Sequence, residues 1–320
     1  MWAVVGRVAE GEARQFLSSR YGRIEQLEPL AGGFWSSAYG FTVRGRPLVA
    51  RFGQSRAFFE ADRAAMGFRS AALPVPEVLE IGEAFGGHFA VSSRHYGMRL
   101  EDVSPEQSAT SGPLLASLLR ALYSVPSSPD LPVIWHSPEP DSPLTWRSWL
   151  KSGLRDDPGR VEHGWHSAIH EHPGAELVFK ECEARLERLI ASCPERRDLV
   201  HGDLLHANVL VTPDARLVTA VFSWKCSVRG DFLYDASWCT FWAPWHPGIE
   251  AADAWGRLRR EPSIPAEAWV DDALRHHCYE LHIGVAHLAW NLFIDNPTEL
   301  VRVAERLEEI LDRGPLRRTR

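Results

Sequence analysis

The stretch that most constrains this chain is "LVHGDLLHANVLV", residues 199–211, which sets a polar loop between two strand-like runs inside an otherwise helical half. "RDLV" leads in and "VLV" leads out, and the turn "TPDA" passes into another strand-like run, "RLVTAVF". A loop followed by a β-hairpin is therefore expected here, not a helix. Residues His201 to Asn208 satisfy H-x-D-L-x-x-x-N, with Asp203 and Asn208 five positions apart. That spacing suits a loop that leaves a strand, presents one carboxylate beside a reacting hydroxyl, and turns back to place an amide oxygen on a metal. The same residue types also cap turns in ordinary hairpins. The hairpin context favours the catalytic reading.

Upstream, the chain reads as a small β-rich unit. "EARQFLSSRYG" is a short amphipathic helix, and "FTVRGRPLVARF" gives two β-type runs joined by the hairpin signal "RGRP". "RAFFEADRAAMGFRSA" has helical spacing, with Phe58, Phe59, Ala65, Met66 and Phe68 largely on one face. "LPVPEVLEIGEAFGGHFAVSS" reads as strand, Gly-Gly turn, strand. After a link near residues 92–97, helical patterns take over in "GPLLASLLRALYSV", "GAELVFKECEARLERLIASC", "EAWVDDALRHHCYELHIGVAHLAWNLFI" and "TELVRVAERLEEILDR". "SSPDLPVIWHSPEPDSPLTW" is an irregular connection. The expected fold class is α+β, with a β-rich lobe over 1–93 and a larger, mostly helical lobe over 94–320.

A chain of 320 residues holds a substantial core, and its net charge of −7 argues against general nucleic-acid binding. That charge is compatible with a cationic small-molecule partner, but a charge of this size is more often a solubility feature. Five cysteines, odd in number and without CxxC spacing, suit reduced thiols in a cytoplasm. Neither a secretory leader nor a stretch long and apolar enough to span a bilayer is read.

The motifs together resemble the aminoglycoside phosphotransferase family, most closely its hygromycin B phosphotransferase branch. The resemblance runs from "LAGGFWSSAYGFTV" through "SAALPVPEVLEIGE" and "TWRSWL" to "LVHGDLLHANVLV" and "GDFLYDASWCTFWAPW". It implies a protein-kinase-like two-lobed fold with ATP and Mg2+ bound between the lobes. It also implies γ-phosphoryl transfer to a hydroxyl of a cationic aminoglycoside or aminocyclitol. On this resemblance Asp203 is the catalytic aspartate, Asn208 a magnesium ligand, and Ser223 occupies the second metal position, where an aspartate is expected.

The remaining candidates carry alternatives. "AGGFWSSAYG" is either a loop over the phosphates, using Gly32, Gly33, Ser36 and Ser37, or a plain β-turn. Arg51 stands where a phosphate-binding lysine is usual, with Asp62 as its first candidate partner and Glu60 as its second. Ser93, with Ser92 and Arg94, falls on the hinge that the resemblance assigns to the adenine edge. In "RGDFLYD", Asp231 reads as a helix cap, and Asp235 either holds the catalytic loop or faces substrate. Among thirteen tryptophans most read as core, with Trp242 or Trp245 as a possible sugar-packing wall. Glu250, Asp253, Asp271, Asp272 and Glu280 are the acids available to meet ammonium groups.

Replacing a carboxylate by Ser223 removes a negative charge from the metal site, with an expected loss of transfer on the order of 10²-fold or more. Lys225, two residues on, shares a face with Ser223 if the strand continues that far, and would then bring charge near the phosphates. A pseudokinase-like binding protein, and a kinase for another small metabolite, are the alternative functions.

Overall fold

The computed structural model describes residues 7–30, 33–136, 143 and 145–316. Its first elements are α1 (Glu10–Tyr21), β1 (Glu25–Leu30), β2 (Ser36–Val43), β3 (Arg46–Gly53), α2 (Arg56–Ala65), β4 (Val78–Ala84), β5 (Gly87–Ser93) and β6 (Met98–Arg99). There follow α3 (Ser108–Tyr123), α4 (Trp146–Ser152), α5 (Trp165–Ala168), α6 (Pro173–Ser192), β7 (Asp198–Val200), β8 (Val209–Val211), β9 (Val218–Val221) and β10 (Val228–Gly230). The chain closes with α7 (Leu233–Trp242), α8 (Pro247–Ala252), α9 (Ala254–Leu258), α10 (Asp272–Phe293) and α11 (Pro297–Arg313). These pack as two compact units, one formed by the chain up to Val103 with Leu205–Cys226, the other by Ser104–Leu204 with Ser227 onward.

The first unit is built on an antiparallel sheet in the order β1-β2-β3-β5-β4. Both of its tight hairpins are two-residue turns with positive φ at each centre, Arg44 (50°) with Gly45 (77°) and Phe85 (53°) with Gly86 (72°). Turns of that hand match the twist of the strands they join. The second turn falls one residue earlier than "GG" suggests. Gly87 already belongs to β5, and a Cβ there would lie 2.7 Å from the Gly53 carbonyl oxygen, so its smallness serves strand packing. Helix α1 seats Leu17 in a buried cluster with Phe41, Phe52 and Phe89, and the Phe16 ring stands edge-on to Phe52 and Phe89 at 5.7 and 4.9 Å. A second sheet, β6-β8-β9, pairs Met98 with Val211 and Val209 with Val221.

The strand expected to run through Lys225 ends at Val221. Ser223 takes a left-handed φ of 69°, and Trp224–Cys226 form a 3-10 turn. The cause is an outside acceptor: the Trp224 N–H donates to Asp62 Oδ1 at 2.8 Å and draws the backbone out of the ladder. Strand alternation therefore does not relate Lys225 to Ser223, and that expectation is corrected.

In the second unit β7 pairs with β10, a strand not anticipated from the sequence. Helix α10 is buried on nearly every face, whereas α11 buries Leu300, Val303, Ala304, Leu307, Ile310 and Leu311, a stripe at three- and four-residue spacing. The run from Glu267 breaks at Asp271 (φ 53°) before α10 begins. The connection after α3 is irregular through His136, and residues 137–142 and 144 lie outside the described residues. All five cysteines are free thiols, and no helix among the described residues is long and apolar enough to cross a membrane.

Candidate active site

In the second unit the loop bearing Asp203 is held from below. The Asp235 carboxylate, buried on α7, accepts the His201 N–H at 2.8 Å with one oxygen and the Gly202 N–H at 2.9 Å with the other. Gly202 has φ 74°, a left-handed conformation that glycine adopts without a Cβ penalty. The Asp203 N–H then donates to His201 Nδ1 at 3.2 Å, leaving the Asp203 side chain half-buried at the turn. Of the two roles open to Asp235, the structure gives it the loop-holding one. Burial, opposed by the two amide bonds and aided by the Asp203 charge, pushes its carboxyl up to about 7.

Asp231 lies one residue before the α7 cap position, which Phe232 holds, and accepts the Leu233 N–H at 3.1 Å; it adjoins the helix start without being the cap expected of it. It is also the hub of a buried cluster. Arg275 donates Nε and Nη2 to its two oxygens at 2.8 and 2.9 Å, and the Tyr279 hydroxyl donates at 2.7 Å. A pairing this complete offsets the cost of burying both charges.

In the first unit, Asn208 is buried and its carbonyl accepts the Phe222 N–H at 3.0 Å, so the two ends of the hairpin are tied next to Ser223. The two preceding residues, His206 and Ala207, both have left-handed φ, 60° and 67°. Glu101 takes up this turn by accepting the Ala207 N–H, and burial raises its carboxyl. Sequence reasoning missed Glu101, and nothing in "MRLEDV" marks it.

Arg51 on β3 donates to Asp62 on α2, whose other oxygen takes the Trp224 N–H. Asp62 is therefore the partner of Arg51. Glu60 pairs at the surface with Arg56 and Arg63 at 3.1 and 3.6 Å. Ser36 and Ser37 lie half-buried in β2 opposite Gly53 and Phe52, and a Cβ added at Gly33 before them would meet no heavy atom within 4 Å beyond its chain neighbours. Gly32 lies outside the described residues. Ser93 ends β5, where its own N–H and that of Arg94 donate to the Glu77 and Pro47 carbonyls.

Two groups of candidates each divide between buried and more exposed members. Trp242 is buried, its ring 4.7 Å from His287, while Trp245 is only partly buried. Asp272 and Glu280 are buried ion-pair partners, Asp272 of Arg259 at 3.0 Å and Glu280 of Arg313, whereas Glu250, Asp253 and Asp271 are exposed. Burial of the first pair inside the helical packing removes them from contact with solvent.

An α+β chain with a five-stranded antiparallel sheet, a strand arginine bridged to a helix acid, and an H-x-D…N loop above a buried aspartate is of the kinase-like phosphotransferase class. The chain belongs to the phosphotransferase enzyme family (APH), whose family model matches residues 26–270. It is 29% identical over 303 residues to the hygromycin-B 4-O-kinase of Escherichia coli, covering 94% of this chain and 84% of that protein. Among solved structures it is similar to a thermostable mutant of aminoglycoside phosphotransferase APH(4)-Ia in ternary complex with ADP and hygromycin B. That match has 27% identity and a TM-score of 0.77, covering 94% of this chain and 98% of the other. A complex of the same enzyme with AMP-PNP and hygromycin B matches at 28% identity and a TM-score of 0.76, over 93% and 97% of the two chains.

Proposed function

We propose that this chain is an ATP-dependent O-phosphotransferase acting on a hydroxyl of an aminoglycoside- or aminocyclitol-type molecule in the cytoplasm, where it would confer resistance to such a compound. The observation that carries the reading is the Asp203 loop, fixed through two consecutive amides by the buried Asp235 carboxylate. A carboxylate held this way is oriented before the acceptor arrives. In the reaction the acceptor oxygen bonds to the γ-phosphorus as the bond to the β-phosphate oxygen breaks. Asp203 takes the hydroxyl proton, and ADP leaves. Residues 1–93 are the nucleotide-binding lobe in this reading and 94–320 the acceptor lobe. Gly32, Gly33, Ser36, Ser37 and Arg51 face the phosphates, Asp62 holds Arg51, and Ser93 marks the adenine hinge. The relatives' complexes with ADP, AMP-PNP and hygromycin B support the substrate classes.

The resemblance also implies magnesium, with Asn208 and Ser223 as ligands. Magnesium takes oxygen donors, commonly with one or two carboxylates among them. Asn208 and Ser223 offer an amide and a hydroxyl oxygen, both neutral, in place of a carboxylate. This donor set does not fit a divalent cation gripped by protein charge. The same observation favours a second reading, a protein that binds nucleotide or small molecule without turning it over.

Measuring ADP release from ATP with an aminocyclitol panel including hygromycin B tests both readings, with the protein and its Ser223→Asp variant run side by side. The left-handed φ of 69° at Ser223 is one that aspartate adopts more readily than most residues, so the variant suits the backbone. We expect slow release by the protein and release on the order of 10²-fold faster by the variant. No release by either across the panel would refute the phosphotransferase reading and leave the binding protein.

A further inference from the structure

Lys225 lies in the turn that Asp62 fixes, one residue beyond the captured Trp224 amide. Its ammonium sits 4.9 Å from the centre of the Trp35 ring and 5.6 Å from that of Phe58. The two rings meet edge to face at 5.8 Å, and Phe34 packs edge-on against Trp35 at 5.0 Å. Phe58 and Asp62 are four residues apart on α2 and share a face, so one helix both places the turn and supplies part of the seat. The other part, Trp35, belongs to "GFWSS", between Gly33 and Ser36.

The two cations of this region differ in what they meet. Arg51 is neutralised by the Asp62 carboxylate, which is also engaged by the Trp224 N–H. Lys225 is half-buried, and no carboxylate pairs with it among the described residues. Aromatic faces attract an ammonium but take none of its hydrogen bonds, so a seated lysine keeps its N–H donors for an anion.

We propose that Lys225 is a phosphate-binding cation, and that it meets the charge of a nucleotide's phosphates in a chain lacking the carboxylate that would hold a divalent metal. Nucleotide binding by this protein is then largely independent of divalent cations. The inference rests on the nucleotide part of the proposed function and not on turnover.

The test is calorimetric titration of the whole protein with AMP-PNP and with adenosine, each in EDTA and in excess MgCl2, alongside Lys225→Gln and Lys225→Arg. The expected result is an AMP-PNP affinity for the unaltered protein that changes only a few-fold between EDTA and MgCl2. Lys225→Gln should weaken AMP-PNP in EDTA on the order of tenfold or more while leaving adenosine unchanged, and Lys225→Arg should restore most of the loss. Equal AMP-PNP affinity for Lys225→Gln and the unaltered protein overturns the proposal. So does a parallel loss of adenosine and AMP-PNP, which marks a structural role. AMP-PNP binding in MgCl2 alone overturns this inference while sparing the phosphotransferase reading. No binding of either ligand in either buffer overturns both. Binding as expected without ADP release from any acceptor supports the inference and counts against the phosphotransferase.

Discussion

Replacing Asp235 by asparagine separates two effects that the buried carboxylate combines. Asparagine keeps one acceptor oxygen, so one of the His201 and Gly202 amides stays paired and the other faces an NH2 group. An unpaired buried N–H costs about 1–3 kcal/mol, and at pH 5 the variant should be less stable by that amount. The pH dependence runs the other way. A carboxyl raised to about 7 in the folded protein binds its proton more tightly there than in the unfolded chain, whose aspartates titrate near the ordinary 3.8. Its contribution to stability is therefore complete below the ordinary range and is lost as pH rises through about 7. The whole shift corresponds to about 4 kcal/mol, of which about 3 falls between pH 5 and pH 8. Asparagine has no proton to lose. The stability gap between the two proteins should thus close with rising pH and vanish or reverse by pH 8. Urea unfolding followed by tryptophan fluorescence at pH 5, 6, 7 and 8 measures the gap directly. A gap that stays constant, or widens with pH, would refute the reasoning. In the same preparations ADP release should fall at least tenfold, because Asp203 lies two residues from a loosened anchor.

Two further outcomes follow from the helical unit. Arg275→Met strands the Asp231 carboxylate in the interior, and thermal unfolding should show a loss of about 3–5 kcal/mol, a loss below 1 contradicting the assigned pairing. His282 is buried between the Tyr234 hydroxyl at Nδ1 (2.9 Å) and the Leu150 carbonyl at Nε2 (3.1 Å), and burial lowers its pKa to about 3. Its neutral form stabilises the fold fully above the ordinary histidine range, and that contribution drains away as pH falls from about 6.5 towards 3. His282→Gln should therefore flatten the acid limb of stability against pH, and an unchanged limb would exclude His282 as its source.

Features read correctly from the sequence were those whose cause is local. "RGRP" carries its own left-handed turn, "TELVRVAERLEEILDR" carries its own apolar stripe, and "RDLV", "VLV" and "TPDA" carry the strands and turn that frame the polar loop. What escaped was set by partners far along the chain. The strand through Ser223 was broken by Asp62, 162 positions before the amide it captures, and no window around "VFSWKC" contains that acceptor. Asp235 left its role undecided for the same reason, since a buried aspartate near a helix start looks alike whether it holds a loop or a ligand. Arg275 and Tyr279 were four apart on one helix, yet their shared target Asp231 lies 44 and 48 residues away.

The first unit closes on itself only when Leu205–Cys226 joins the sheet-bearing segment that ends at Val103. A ribosome therefore delivers β1–β5 and β6 long before the hairpin that pairs with β6 and supplies the amide for Asp62. Until then Asp62 and the edge of β6 wait without their partners, and about a hundred intervening residues must be spanned, an entropic cost that grows only with the logarithm of that length. A fragment stopping at Val103 should accordingly be poorly soluble, and supplying 205–226 by a short direct linker should let the unit fold without the helical one.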